Sequence, residues 1–232
     1  MSGLIDFHTH ILPQIDDGSK SVSESMAMVS MLSEQGIKTV VASPHFYANR
    51  IDVSGFLEKR NEAYEMLSKQ LPADSPEILL GAEVKYYEGI SRLATLDQLC
   101  IEKSNLLLLE MPFSKWSEYE VKELLELTCI TNLTVAIAHI ERYMRFQSQK
   151  TLDLLRERGV IMQANSNFFT GVFTKNKALS MLLNGEIVLI GSDCHGQKYR
   201  PPNIKEAYDT IRKKTNHVFF EEYCGFIESL FE

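Results

Sequence analysis

Short apolar runs of strand length recur along the chain and alternate with segments of helical period. The runs are Leu4–Phe7, Thr39–Ala42, Ile78–Leu80, Leu106–Leu109, Thr134–Ala138, Val160–Met162 and Ile187–Ile190, which makes seven candidate strands. Helical patterns fill Glu24–Gln35, Gly55–Gln70, Glu118–Thr131 and Thr151–Arg158 between them. Ser21-x-x-Glu24 predicts a capping box at the start of the first helix, and Gly36 and Gly159 suit helix C-termini. Regular β–α alternation with apolar strands predicts an α/β protein whose parallel sheet is covered by helices, either open and doubly wound or closed into a barrel. The segment around Pro72 to Pro76 reads as one loop. No repeat, low-complexity tract or linker divides the chain, so residues 1–232 are expected to form a single domain.

The residues at the end of each apolar run change the picture. The first strand ends in Asp6-Phe7-His8-Thr9-His10, the second runs into Ser43-Pro44-His45, and the third into Gly81-Ala82-Glu83. The fourth ends at Glu110, the fifth at His139, the sixth at Asn165, and the seventh at Ser192-Asp193-Cys194-His195. In a (β/α) barrel the C-terminal ends of the strands converge on one rim, so these groups would meet around a single pocket. Residues two apart on a strand share a face. His8 with His10, and Asp193 with His195, can therefore each point at one ion.

Each element also has an ordinary explanation. Two histidines at H-x-H spacing can be simple hydrogen-bonded side chains, but five of the six histidines (8, 10, 45, 139 and 195) stand at predicted strand ends. His217 lies elsewhere and reads as structural. Most of the 31 acidic residues are expected to be solvated, yet Glu83 and Glu110 close apolar runs, where burial is costly unless cations compensate. Asp16-Asp17-Gly18 is equally readable as a plain turn. Arg142 and Arg200 lie close behind the ligand candidates His139 and His195, and a guanidinium suits phosphate oxygens. Cys194 to Arg200 matches the C-x5-R spacing of thiolate phosphatases. That spacing reads as coincidence, because Asp193 would raise the thiol's pKa and Pro201-Pro202 remove two amide donors beyond the arginine.

Composition narrows the alternatives. At 232 residues with 44% hydrophobic content the chain can bury one substantial core. A net charge of -7 argues against a nucleic-acid partner. Cys100, Cys129, Cys194 and Cys224 lack C-x-x-C pairing and are expected as free thiols. No stretch of about 18 apolar residues occurs and the N-terminus lacks the order of a secretory signal, so a cytoplasmic protein without membrane insertion is expected.

Taken in order, Asp6-Phe7-His8-Thr9-His10, Asp16-Asp17-Gly18, Ser43-Pro44-His45, Gly81-Ala82-Glu83, Ala138-His139-Ile140-Glu141-Arg142-Tyr143, Ser192-Asp193-Cys194-His195 and Arg200-Pro201-Pro202 resemble the polymerase-and-histidinol-phosphatase (PHP) superfamily. They closely resemble its branch of bacterial manganese-dependent protein-tyrosine phosphatases of capsular and exopolysaccharide gene clusters. The resemblance implies a distorted seven-stranded (β/α)7 TIM-like barrel with three metals. His8, His10, Glu83 and Asp193 would surround one ion, Glu83, Glu110 and His139 another, and Asp17, His45 and His195 the third. It further implies phosphate binding by Arg142 and Arg200, and a substrate phosphotyrosine on the tail of the cognate polysaccharide-synthesis tyrosine kinase.

Nitrogen and oxygen donors without thiolate fit manganese, iron or zinc, and the resemblance favours manganese. Metal-activated water, with hydroxide bridging two ions, would supply the nucleophile at neutral pH. Four carboxylates against three divalent ions leave a positive surplus that favours an anionic substrate. A phenol leaving group, of pKa about 10, has modest need of a general acid, and none is assigned. Two other readings are a small-molecule phosphatase of the histidinol-phosphate type and a non-catalytic module that binds the kinase. Glu83→Gln or His8→Ala is expected to abolish hydrolysis; near-normal turnover in either variant would remove that residue from the ligand set.

Overall fold

The computed structural model describes residues 3–130 and 133–231. The chain runs β1 (Leu4–Thr9), α1 (Val22–Glu34), β2 (Ile37–Ala42), β3 (His45–Phe46), α2 (Val53–Ser68), β4 (Glu77–Leu80), β5 (Glu83–Lys85) and β6 (Leu106–Glu110). It continues through α3 (Glu118–Leu127), β7 (Thr134–Ile137), α4 (Gln149–Glu157), β8 (Ile161–Asn165), α5 (Ser166–Thr170), α6 (Lys175–Leu183), β9 (Leu189–Gly191), α7 (Ile204–Lys214) and α8 (His217–Glu228). Every strand pairing is parallel, in the orders β1-β2-β4 and β3-β5-β6-β7-β8-β9. This is an α/β fold whose parallel sheet curls into a half-barrel.

Each of the seven predicted runs lies in or against a strand, and two of those runs continue after a break. Pro44 has no amide hydrogen to give the ladder, which separates β2 from β3. Gly81-Ala82 separates β4 from β5, although Gly81 keeps its amide in the hydrogen bonding. Backbone bonds bridge the breaks: Ser43 N–H donates to Thr9 O at 2.9 Å, Gly81 N–H to Ala42 O at 2.9 Å, and Glu83 N–H to Pro44 O at 3.0 Å. Beyond the breaks the pairing continues in the second sheet, where His45 and Glu83 are register partners at the starts of β3 and β5.

The two end strands also meet. Asp193 N–H donates to His8 O at 2.8 Å and His10 N–H to Cys194 O at 3.0 Å. The Asp6 carboxylate reinforces this seam, its Oδ1 accepting from Ser192 N–H at 2.8 Å and from His8 N–H at 3.3 Å. Burial pushes its pKa up to about 6, against the lowering effect of these bonds. Gly191 permits the approach, since a Cβ there would fall on the Cβ of His8.

The predicted helices form with boundaries shifted by a few residues. Ser21 caps α1 by accepting from Glu24 N–H at 3.2 Å, but the capping box is half made. The Glu24 carboxylate accepts instead from Lys20 N–H at 2.8 Å and from Gln197 N–H at 3.4 Å, so it braces the loop after β9. A complete capping box opens α3 at Ser117 and Glu120. That helix ends at Leu127; the predicted end at Thr131 lies outside the described residues. Gly36 and Gly159 come just after α1 and α4 with φ of 81° and 84°, the left-handed conformation that ends helices.

The core is one continuous cluster in which the apolar strand residues pack under the helices. Phe7 stacks on Phe231 with ring centroids 5.5 Å apart, and the buried Tyr208 hydroxyl donates to Ile5 O at 2.7 Å. All four cysteines are free thiols, and among the described residues no helix is long and apolar enough to cross a membrane. Gly191→Ala is expected to cost about 1–3 kcal/mol by overpacking the β1–β9 seam. Gly225→Ala, in α8 where an added Cβ meets nothing within 4 Å, should stabilise by about 0.5–1 kcal/mol. Urea midpoints compare the two, and a neutral Gly191→Ala would show that the seam is slack.

Candidate metal centre

All nine predicted ligands come together at the C-terminal edge of the strands. Glu83, buried at the start of β5, is the middle of the cluster. Its Oε2 lies 3.2 Å from His8 Nε2, 3.3 Å from His10 Nε2 and 3.0 Å from His45 Nδ1, while its Oε1 lies 2.9 Å from His139 Nε2. Burial opposes its ionisation, but the surrounding histidines, His8 first, more than offset this and hold its pKa well below the usual carboxylate range. Glu110, at the end of β6, sits 3.8 Å from His139 Nε2.

Asp193 faces the cluster from the opposite seam. Its Oδ1 is 3.7 Å from His8 Nε2, 3.5 Å from His10 Nε2 and 3.6 Å from His195 Nδ1. Its Oδ2 accepts from Arg142, Arg200 and, at 2.9 Å, from the Asn165 amide. One carboxylate therefore joins the predicted ligands to both predicted phosphate-binding arginines. Asp17, on the exposed turn after β1, completes the set 3.4 Å from His45 Nε2 and 3.6 Å from His195 Nε2. His217 stands apart, exposed on the first turn of α8 and 3.7 Å from Glu221. It has no part in the cluster.

Local backbone conformation aims these groups. His139 (φ 34°), Asp193 (φ 54°) and Arg200 (φ 52°) are all left-handed, a region that costs a residue with a side chain about 1–3 kcal/mol when held there. At His139 the chain turns directly into a 3-10 turn, Ile140–Arg142, which carries Arg142 back over Asp193. Such strain is retained where the surrounding structure over-determines it.

Hydrogen bonds behind the ligands settle which ring nitrogens face inward. Gln163 Oε1 accepts from His139 N–H at 2.7 Å, so it must also be the acceptor for His8 Nδ1 at 3.2 Å. His8 then presents Nε2 to the cluster. Asp16 Oδ2 takes the Nδ1 proton of His10 at 2.7 Å; although burial works against it, this bond helps hold the Asp16 pKa well below normal. His10 likewise presents Nε2. His195 donates Nδ1–H to Asp193 O at 3.0 Å, and its pKa is lowered to about 4, by burial first and then by His10 and Arg200. These bonds fix the orientation of the three rings; against the opposing effect of burial, Glu83 raises the pKa of His8 and Asp16 raises that of His10 well above normal, so a metal ion binding there would displace their protons.

The donor set fits divalent cations on geometry alone. His8 Nε2 and His10 Nε2 lie 3.1 Å apart with carboxylate oxygens beside them, an arrangement of inward lone pairs that a cation satisfies. Three overlapping groups have donor atoms within 4.8 Å of one another: His10, Asp17, His45 and His195; His8, His10 and Asp193; and His45, Glu83 and Glu110. His10 and His45 each belong to two of them. All the donors are nitrogen or oxygen, which suits manganese, iron or zinc alike.

Cys194 is buried beneath the cluster. Burial first, then Asp6, pushes its thiol up to about 12. It is not a thiolate nucleophile. Sequence reasoning named Asp16 only within the Asp16-Asp17-Gly18 motif, without this role, and did not find Gln163, Lys85 and Phe113 behind and beside the cluster. Lys85 Nζ donates to Glu110 Oε2 at 3.0 Å and lies 5.0 Å from the ring centre of Phe113, which stacks on His139 at 5.7 Å. Gln163 does lie on a strand two residues before Asn165, the one signal that could have placed it on the same face.

A parallel α/β sheet with a buried histidine–carboxylate cluster at its C-terminal edge is an arrangement of donors that could hold metal ions. The chain belongs to the capsular polysaccharide synthesis family CpsB/CapC, whose family model matches residues 4–224. It is 31% identical to the tyrosine-protein phosphatase CpsB of Streptococcus pneumoniae over 91% of this chain and 90% of that one. It is 30% identical to the tyrosine-protein phosphatase YwqE of Bacillus subtilis over 91% of this chain and 85% of the other. Among solved structures, one described with YwqE and CpsB as metal-dependent tyrosine phosphatases superposes with a TM-score of 0.82 at 24% identity, covering 98% of this chain and 94% of that chain. An amidohydrolase shares the general fold, with a TM-score of 0.57 at 9% identity over 99% of this chain and 75% of its own.

Asp16→Asn is expected to weaken metal binding about 10–100-fold by releasing His10, as measured by calorimetric titration of metal-stripped protein. Unchanged affinity would mean that His10 is oriented without it.

Proposed function

We propose that this chain is a metal-dependent protein-tyrosine phosphatase that removes phosphate from a tyrosine kinase of polysaccharide biosynthesis. The observation that carries the reading is the double use of Asp193. Its Oδ1 faces the histidine cluster while its Oδ2 holds two partly exposed guanidiniums, so a phosphate-binding pair adjoins a metal-binding one. Family membership and the phosphatase names of the curated relatives supply the substrate class.

In this reading His8, His10, Asp17, His45, Glu83, Glu110, His139, Asp193 and His195 would hold the ions. The ions would be three divalent cations, manganese by the family resemblance; the donor groups that lie close together support several adjoining positions, with His10 and His45 each in two groups and His139 in none. Such ions supply a deprotonated water at neutral pH and withdraw charge from phosphoryl oxygens. Arg142 and Arg200 bind and orient the phosphate dianion through charge-assisted donors. Asn165, sharing Asp193 Oδ2 with them, keeps that carboxylate turned. The breaks in β2/β3 and β4/β5, with the seam between β1 and β9, support counting seven strands in one distorted barrel of the PHP type and one domain throughout. A kinase tail inside the cell is the partner that fits this reading.

The test is phosphate release from a phosphotyrosine peptide by metal-stripped protein, before and after manganese is added, with Cys194→Ser alongside. Release should require metal and survive Cys194→Ser. Release indifferent to chelation but lost in Cys194→Ser would overturn the metal mechanism. Histidinol phosphate assayed in parallel should turn over more slowly than the peptide, and the reverse order would favour a small-molecule phosphatase.

A further inference from the structure

The cluster borders a cavity of about 410 Å3 that the proposed hydrolytic machinery does not use in full. His45 and Asp17 line it from the metal side, and Phe56 and Ile51 contribute apolar surface. This volume lies within the range of small-ligand sites, and an aromatic ring entering beside His45 would find apolar and aromatic neighbours.

Tyr47, Arg50 and Lys59 line the same cavity. The Tyr47 ring lies 5.4 Å from that of His45, and the Arg50 guanidinium sits over Tyr47 at 4.4 Å from its centre. A tight turn fixes this placement, with Arg50 N–H donating to Tyr47 O at 2.9 Å. Arg50 is thus two ring contacts from a candidate ligand. Lys59, on α2, adds a second cation. Both are exposed, and among the described residues neither forms an ion pair with a carboxylate, in a chain whose net charge is -7. Two uncommitted cations beside an anion-binding centre form an extension of it with the same charge preference.

We propose that Arg50 and Lys59 form an anion subsite that selects phosphotyrosines carrying a second negative charge, one or two residues away along the substrate chain. Extended peptide advances about 3.3 Å per residue, so a neighbouring carboxylate or phosphate comes within the reach of these long side chains. The inference rests on the phosphatase reading for the identity of the ligand at the centre. It goes beyond that reading by giving the enzyme a preference among phosphotyrosines.

The experiment uses manganese-loaded full-length protein and three peptides, each with a non-hydrolysable phosphonate analogue of phosphotyrosine. They differ only in the flanking residues: Asp and Glu, Asn and Gln, or a second copy of the same phosphonate analogue. Dissociation constants are read by fluorescence anisotropy, and phosphate release from the hydrolysable counterparts is measured in parallel. Wild type should bind the charged peptides about 3–10-fold more tightly than the neutral one, with the preference shrinking as salt is added. The double variant Arg50→Gln/Lys59→Gln should remove the preference, and Arg50→Glu/Lys59→Glu should invert it. A merely structural role would not produce inversion. A preference shared by both charged peptides assigns the subsite to negative charge in general, and one confined to the peptide with the second analogue assigns it to phosphate. Equal binding of all three by wild type, or a preference that survives in both double variants, overturns the proposal. Absence of phosphate release would count against the phosphatase reading, while the binding ratios would still decide the subsite.

Discussion

A single buried carboxylate, Glu83, ringed by imidazoles from separate strand ends, is the constraint on which the site depends. An ionised carboxylate in a closed interior costs several kcal/mol unless positive charge and hydrogen bonds answer it. Here the answer must come from groups remote in sequence: His8 and His10 from the β1 end, His45 at β3 and His139 after β7. Only a curled parallel sheet brings those ends together. The breaks at Ser43-Pro44 and Gly81-Ala82 answer the same requirement, since they redirect the strands where His45 and Glu83 must turn inward. The sheet's irregularity and the site's geometry are one feature.

Much of the site was legible because of how parallel strands work. Their apolar runs are conspicuous, the polar residue that ends each run lies on the converging edge, and His, Asp and Glu are rare enough in that position to be noticed. Glu110 and His139 are clear cases. The supporting residues were not legible by this rule. Asp16 lies in a turn whose sequence is equally good for a turn without chemistry, and the structure shows that it is both. Gln163 carries no charge and sits inside a strand, so nothing in composition marks it. The hydrogen bond from His139 N–H that makes it an acceptor for His8 exists only in three dimensions. The half-made capping box at Ser21 is a similar lesson. Local spacing predicted a reciprocal bond, and a tertiary demand from the loop after β9 diverted the Glu24 side chain.

The arginines show how a motif can be present in sequence and absent in chemistry. Cys194 and Arg200 have the separation of a thiolate-phosphate loop, but the left-handed turns at Asp193 and Arg200 place the guanidinium on Asp193, while the thiol is held in a closed interior. Burial that protects the thiol from solvent also keeps it protonated, so the same packing that supports the seam disables the competing nucleophile. Asp193 then becomes the joint between two functions. Its orientation toward the histidines is fixed partly by the arginines and Asn165 pulling on its other oxygen. Charge arriving at the arginines must therefore be felt at the histidine cluster, because both act on one carboxylate. In the proposed reading, binding an anion at the arginines and holding a cation among the histidines would be coupled through a single side chain.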